Sequence, residues 1–102
     1  MRTTERRPVS VGDMLNEEFL FPLKLTQAQL AEAMGVPRKH VNELCMNRRA
    51  ITADTALILA KVFGNGADFW LNLQRRNDLW EAEHSPKRRA RIERARPIDK
   101  AA

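Results

Sequence analysis

The chain has 102 residues, 43% of them hydrophobic, with 18 Lys and Arg against 13 Asp and Glu for a formal net charge of +5. This supports one globular domain and excludes a multidomain protein or a chain disordered throughout. The longest apolar run, Ala56 to Ala60, is far short of a membrane span, and the charged start leads into no apolar signal core, so a cytoplasmic protein with no membrane partner is expected.

The excess charge is not spread evenly. Residues 86–102 hold seven bases (Lys87, Arg88, Arg89, Arg91, Arg94, Arg96, Lys100) and two acids, and so carry the whole net +5. The remainder balances, but its signs are sorted: residues 36–50 are +3, flanked by 11–35 at −3 and 65–85 at −2. The expected organisation is a basic arm over 1–9, a compact domain over 10–85 and a basic tail over 86–102. The tail has too little apolar surface to fold alone.

β-branched residues are sparse and never alternate over a useful length, whereas Ala, Leu, Glu, Gln and Arg abound, so the fold class is all-α with five helices. The first helix runs from Val11 to about Phe21, opened by Ser10 and stopped by Pro22. The second begins at Thr26, where Thr26-x-x-Gln29 is a capping box, and ends at Met34 before Gly35. The third spans about Pro37 to Met46, with Pro37 in its first turn and Asn47 as a left-handed exit. The fourth runs from a Thr52 cap to Phe63 before Gly64, with Ala56, Leu59, Ala60 and Phe63 on one face. The fifth follows Gly66 and continues to about His84. On it, Phe69, Leu73 and Trp80 form one apolar stripe, and Leu71, Leu79 and Ala82 a second.

Helices two and three are separated only by Gly35-Val36. Ala31 is small where two helices cross closely, Gly35 permits a positive φ, and Leu30, Met34, Val36, Val41 and Leu44 pin both helices to one core. With those side chains inward, Arg38, Lys39, Asn42 and Glu43 point outward, as a recognition helix is displayed to a major groove. An αα-hairpin inside a bundle needs the same apolar positions, but the cluster of bases and an amide on the outer face favours a helix-turn-helix.

Roles follow from position. Arg38 and Lys39, in the first turn, are placed to reach base edges, and Asn42 to read adenine or bind a phosphate. Thr26 and Gln27 stand at a helix N-terminus that attracts phosphate, and Asn47, Arg48 and Arg49 form a loop suited to backbone contacts. Glu43 either selects a cytosine amino group or sits off the contact surface. The second stripe of helix five (Leu71, Leu79, Ala82) suggests a twofold homodimer, which would set two recognition helices about 34 Å apart. The tail has three open uses: phosphate contacts, docking to a protein, or a solvated end. The arm (Arg2, Arg6, Arg7, Pro8) either enters a minor groove or frays. His40, His84 and Cys45 have no ligand or triad partners at suitable spacing, so no catalytic residue, metal or cofactor is expected. Cys45 and the two tryptophans read as packing residues.

The segments Leu25-Thr26-Gln27-Ala28-Gln29-Leu30-Ala31-Glu32-Ala33-Met34-Gly35-Val36, Arg49-Ala50-Ile51-Thr52-Ala53-Asp54-Thr55-Ala56-Leu57, Asp68-Phe69-Trp70-Leu71-Asn72-Leu73-Gln74 and Asp78-Leu79-Trp80 resemble the HigA/VapI-type antitoxins of the Xre helix-turn-helix superfamily. The resemblance covers about residues 8–83. It implies a five-helix Xre/lambda-repressor-like domain and the antitoxin of a type II toxin-antitoxin module. Such a protein is a non-enzymatic dimeric autorepressor that binds a palindromic double-stranded operator and neutralises a RelE-fold, mRNA-cleaving toxin. Members usually end helix three with Asn-Gly, whereas this chain has Met46-Asn47. Two other readings are a free-standing Xre-type regulator without a toxin, and an interaction module whose tail binds RNA or an acidic partner.

Overall fold

The computed structural model describes residues 6–99; Arg2 and Lys100, counted above in the arm and the tail, lie outside this range. Among the described residues the chain is all-α, with six helices and no strand.

The first helix, α1, is built of three contiguous pieces: α-helical Val11–Met14, π-helical Leu15–Leu20 and α-helical Phe21–Leu23. Ser10 caps it, its Oγ accepting from Asp13 N at 3.0 Å. Pro22 does not stop it as expected. In a straight α-helix the Pro22 ring would press on the carbonyl four residues back. Here the ladder opens to wider spacing around the ring, with Phe21 N donating to Asn16 O and Leu25 N to Leu20 O. The turn ends one residue after Leu23, where Lys24 takes a left-handed φ of 55°.

Helix α2, Gln27–Met34, opens on Thr26 with both bonds of the capping box formed and closes on Gly35 at φ 71°. Helix α3 is Arg38–Cys45; Pro37 serves as its N-cap, one position outside the expected first turn, and Asn47 makes the left-handed exit at φ 57°. Helix α4, Ala53–Phe63, is capped by Thr52 and ends at Gly64, as its sequence signals predict. Helix α5 spans Ala67–His84.

The five-helix expectation falls short by one. Helix α6, Pro86–Glu93, lies in the tail; Ser85 Oγ accepts from Arg88 N, Pro86 fits the first turn, and Arg89 pairs with Glu93 one turn on. Cap, proline and ion pair together order a segment whose apolar content alone would not. It packs against the end of α5 with its surface exposed, and the molecule is long, 57 × 27 × 21 Å.

One core joins α1 to α5. Leu15, Leu30, Val41, Leu44, Leu59 and Trp70 are fully buried. Phe19 sits between Phe63 (centroids 4.4 Å apart) and Trp70 (5.1 Å), and Trp70 Nε1 donates to Asn65 Oδ1 at 3.0 Å. The inward stripe of α5 is Trp70, Leu73 and Asn77, not Phe69, Leu73 and Trp80. Phe69 stays partly exposed, edge-on to Trp70 at 5.0 Å. Asn77 enters the stripe because its Nδ2 donates to Val9 O and Leu73 O, closing the arm onto the helix. Cys45 is buried, as expected of a packing residue, and burial pushes its thiol pKa up.

Candidate nucleic-acid interface

The short α2–α3 joint is held from both sides. Gly35 takes the left-handed conformation, Val36 N donates back to Ala31 O at 3.0 Å, and Pro37 is extended ahead of α3. Leu30, Ala31, Met34, Val41 and Leu44 are buried. That burial leaves Arg38, Lys39 and Asn42 exposed on α3. Asn42 is joined to α2, its Nδ2 donating to Gln27 Oε1 at 3.1 Å, so these two polar residues form one unit across the motif.

Each residue expected at the backbone of a nucleic acid has a definite place. Thr26 accepts from Gln29 N at 3.0 Å, and its own N–H donates to Gln29 Oε1 at 2.9 Å. The cap therefore occupies the polar groups of Thr26, which is itself exposed, and Gln27 behind it is half-buried. Asn47 turns inward: its Oδ1 accepts from Gly12 N at 2.8 Å and its Nδ2 donates to Ser10 Oγ at 3.0 Å. A Cβ on Gly12 would overlap the Cys45 carbonyl oxygen and stand 2.9 Å from Asn47 Oδ1, so only glycine lets α1 approach this closely. Asn47 positions the loop and, like Arg48 and Arg49 beside it, remains exposed.

Arg49 is not free. Its Nε and Nη2 both donate to Glu43 Oε1, at 3.0 and 2.7 Å. The bond from Arg49 holds the Glu43 carboxyl below its usual pKa. The acid that would repel phosphate on the recognition helix is thereby compensated, and the loop is tied back to α3. His40, half-buried beside this pair, has its pKa lowered, first by burial and then by the Arg49 charge.

Residue spacing alone did not reveal two of these contacts, Ser10–Asn47–Gly12 and Glu43–Arg49. Only the left-handed exit at Asn47 signalled that the chain turns back there. Among the expected dimer residues, Leu79 is 41% exposed, Leu71 packs against the core and Ala82 is half-buried beside α6. Among the described residues no group of His, Cys, Asp or Glu is placed to hold a metal ion, and no helix is long and apolar enough to cross a membrane.

A buried two-helix joint presenting a basic outer face defines a helix-turn-helix module. A helix-turn-helix family model matches residues 18–70. Antitoxin HigA-1 of Vibrio cholerae is 51% identical over 84 residues, 82% of this chain and 79% of that protein. Among solved structures, the Pseudomonas aeruginosa antitoxin HigA with higBA promoter superposes with a TM-score of 0.81 at 32% identity, over 91% of this chain and 100% of that one. Antitoxin GraA in complex with its operator gives a TM-score of 0.84 at 32% identity, over 97% and 99%. The chain belongs to the helix-turn-helix family, in its HigA antitoxin branch. This is a DNA-binding family and not an enzyme family.

Proposed function

We propose that the protein is a dimeric autorepressor that binds a palindromic operator and neutralises a RelE-fold, mRNA-cleaving toxin. The observation that carries the DNA reading is the face of α3, where Arg38, Lys39 and Asn42 stand exposed while Val41 and Leu44 are buried. Arg38 and Lys39 read base edges, and Asn42, steadied by Gln27, reads an adenine or a phosphate. The start of α2 at Thr26 and Gln27, with Arg48 and Arg49, grips the backbone, and Asn47 holds that loop in place. Dimerisation through the α5 face at Leu79, flanked by Leu71 and Ala82, supplies the second recognition helix for the other half-site.

The test is binding of labelled promoter DNA from the protein's own gene, with and without whatever small protein co-purifies with it. Steeply salt-dependent, sequence-selective binding supports the repressor, and a co-purifying toxin supports the antitoxin role. Operator binding without any such partner would favour a free-standing regulator.

A further inference from the structure

Trp80 and Glu81 of α5 together hold a guanidinium. Arg7 Cζ lies 5.1 Å from the centroid of the Trp80 ring, and Arg7 Nη2 donates to Glu81 Oε1. His84 stacks on the same indole with centroids 4.1 Å apart at 14°, and its Nδ1–H donates to Trp80 O at 2.8 Å, which braces the ring. Asn77 Nδ2 then takes the carbonyl of Val9, two residues past the arginine, at 2.8 Å. An aromatic face, a carboxylate and an amide that reads the following backbone are the parts of an arginine-peptide site. We infer that this site is exchangeable: the protein's own Arg7 fills it in the free molecule, and an arginine on an extended segment of a partner protein takes it by displacing the arm.

Three observations support exchange. The resident arginine is weakly held, because its side chain is 53% exposed and that of Glu81 47%, and ion pairs this open contribute little. The arm also satisfies the site incompletely. Trp80 Nε1 is a buried donor without an acceptor, and Asn77 Oδ1 a buried acceptor without a donor, although Asn77 is only 9% exposed. Pro8, which follows Arg7, has no N–H to offer Asn77. A segment with an ordinary residue after its arginine carries an N–H at that position. Finally, the site has room. A cavity of about 240 Å³ adjoins it, walled on the α5 side by Gln74, Asn77, Asp78 and Glu81 and facing them by Arg48 and Arg49. This reading does not depend on operator binding.

The experiment follows the Trp80 indole N–H by NMR in the full chain, assigned with Trp80→Phe; the Trp70 indole, bonded to Asn65, serves as internal control. The probes are acetyl-Arg-Ala-Val-amide, its Arg-Pro-Val counterpart, and the Ala peptide with citrulline for arginine. Arg7→Ala, a change on the exposed arm, should shift the Trp80 resonance and let the Arg-Ala-Val peptide bind. The Arg-Pro-Val peptide should bind more weakly, and the citrulline peptide roughly tenfold more weakly. Adding Glu81→Gln should remove the preference for arginine over citrulline. An unmoved Trp80 resonance in Arg7→Ala, absence of peptide binding, or equal binding of the arginine and citrulline peptides would overturn the inference.

Discussion

Asn47 Oδ1 accepts a hydrogen bond from Gly12 N at 2.8 Å, tying the exit of the recognition helix to the start of α1. Thirty-five residues apart in sequence, the two positions require each other: glycine for the close approach, and a residue that tolerates positive φ while offering an amide. Asn47→Ala loses both the bonds and the left-handed preference, and should destabilise by about 2–3 kcal/mol. Asn47→Gly keeps the conformation and should lose less. Chemical denaturation should rank wild type above Gly above Ala, and equal losses for the two variants would show that the bonds alone matter.

The Glu43–Arg49 pair makes a prediction for binding. Glu43→Gln removes a negative charge from the face of α3 and frees Arg49. Affinity for unrelated duplexes should rise, and the log-log salt slope should steepen by about 0.9, as for one added phosphate contact. Fluorescence anisotropy over a salt series reads both, and an unchanged slope would place Arg49 off the backbone.

Arg38 and Arg49 should separate by kind of effect. Arg38→Ala should relax preference at one base-pair position by about 1–3 kcal/mol, whereas Arg49→Ala should weaken all sequences alike. Competition binding against operator variants checks this, and identical profiles would contradict the division of roles.

His40 predicts how stability varies with pH. Its folded pKa is lowered from 6.5, so the unfolded chain takes up a proton first as pH falls. Stability is full above about 6.5, declines as pH falls through that value, and levels off below the folded pKa. His40→Gln should flatten the melting temperature between about pH 7.5 and 5.5 relative to wild type. Glu43 acts lower: its contribution is present above its ordinary value of 4.5 and is lost as pH falls through the depressed folded value.

Leu79→Glu should give a monomer by light scattering, with unchanged helical content and loss of cooperative operator binding. Leu79 is exposed and bears no core load, so unfolding of this variant would contradict its surface placement. Deleting residues 86–102 should leave operator binding largely intact; its loss would transfer the main contact to the tail.

Where local chemistry is complete, the sequence was readable. The Thr26–Gln29 box, the Gly35 and Gly64 exits and the Thr52 cap each state their geometry within a few residues. Misreadings arose where a distant partner decides the outcome. Asn77, a polar residue outside both expected stripes, finds a buried partner for its amide in Val9 O, 68 residues away, and the inward stripe runs through Trp70. In the tail, composition argues against structure, but the Ser85 cap and Pro86 in the first turn, not weighed in that expectation, start a helix there. At the interface, the outward set Arg38, Lys39 and Asn42 followed from the buried positions alone. The charge state of its margin did not, because Glu43 and Arg49 meet only after the left-handed turn at Asn47.

The π segment within α1 has a consequence for how this protein tolerates change. A turn closed by i→i+5 bonds holds one residue more than an α turn, so α1 carries an insertion absorbed inside a helix and not in a loop. Removing any one residue between Leu15 and Leu20 would restore an ordinary ladder. The flanking turns would keep their phase, because an α turn closes the same circle with one residue fewer, but the Pro22 ring would come onto a carbonyl. A one-residue gap that a sequence alignment would count as minor is, at this place, a collision between a proline ring and the helix that holds it.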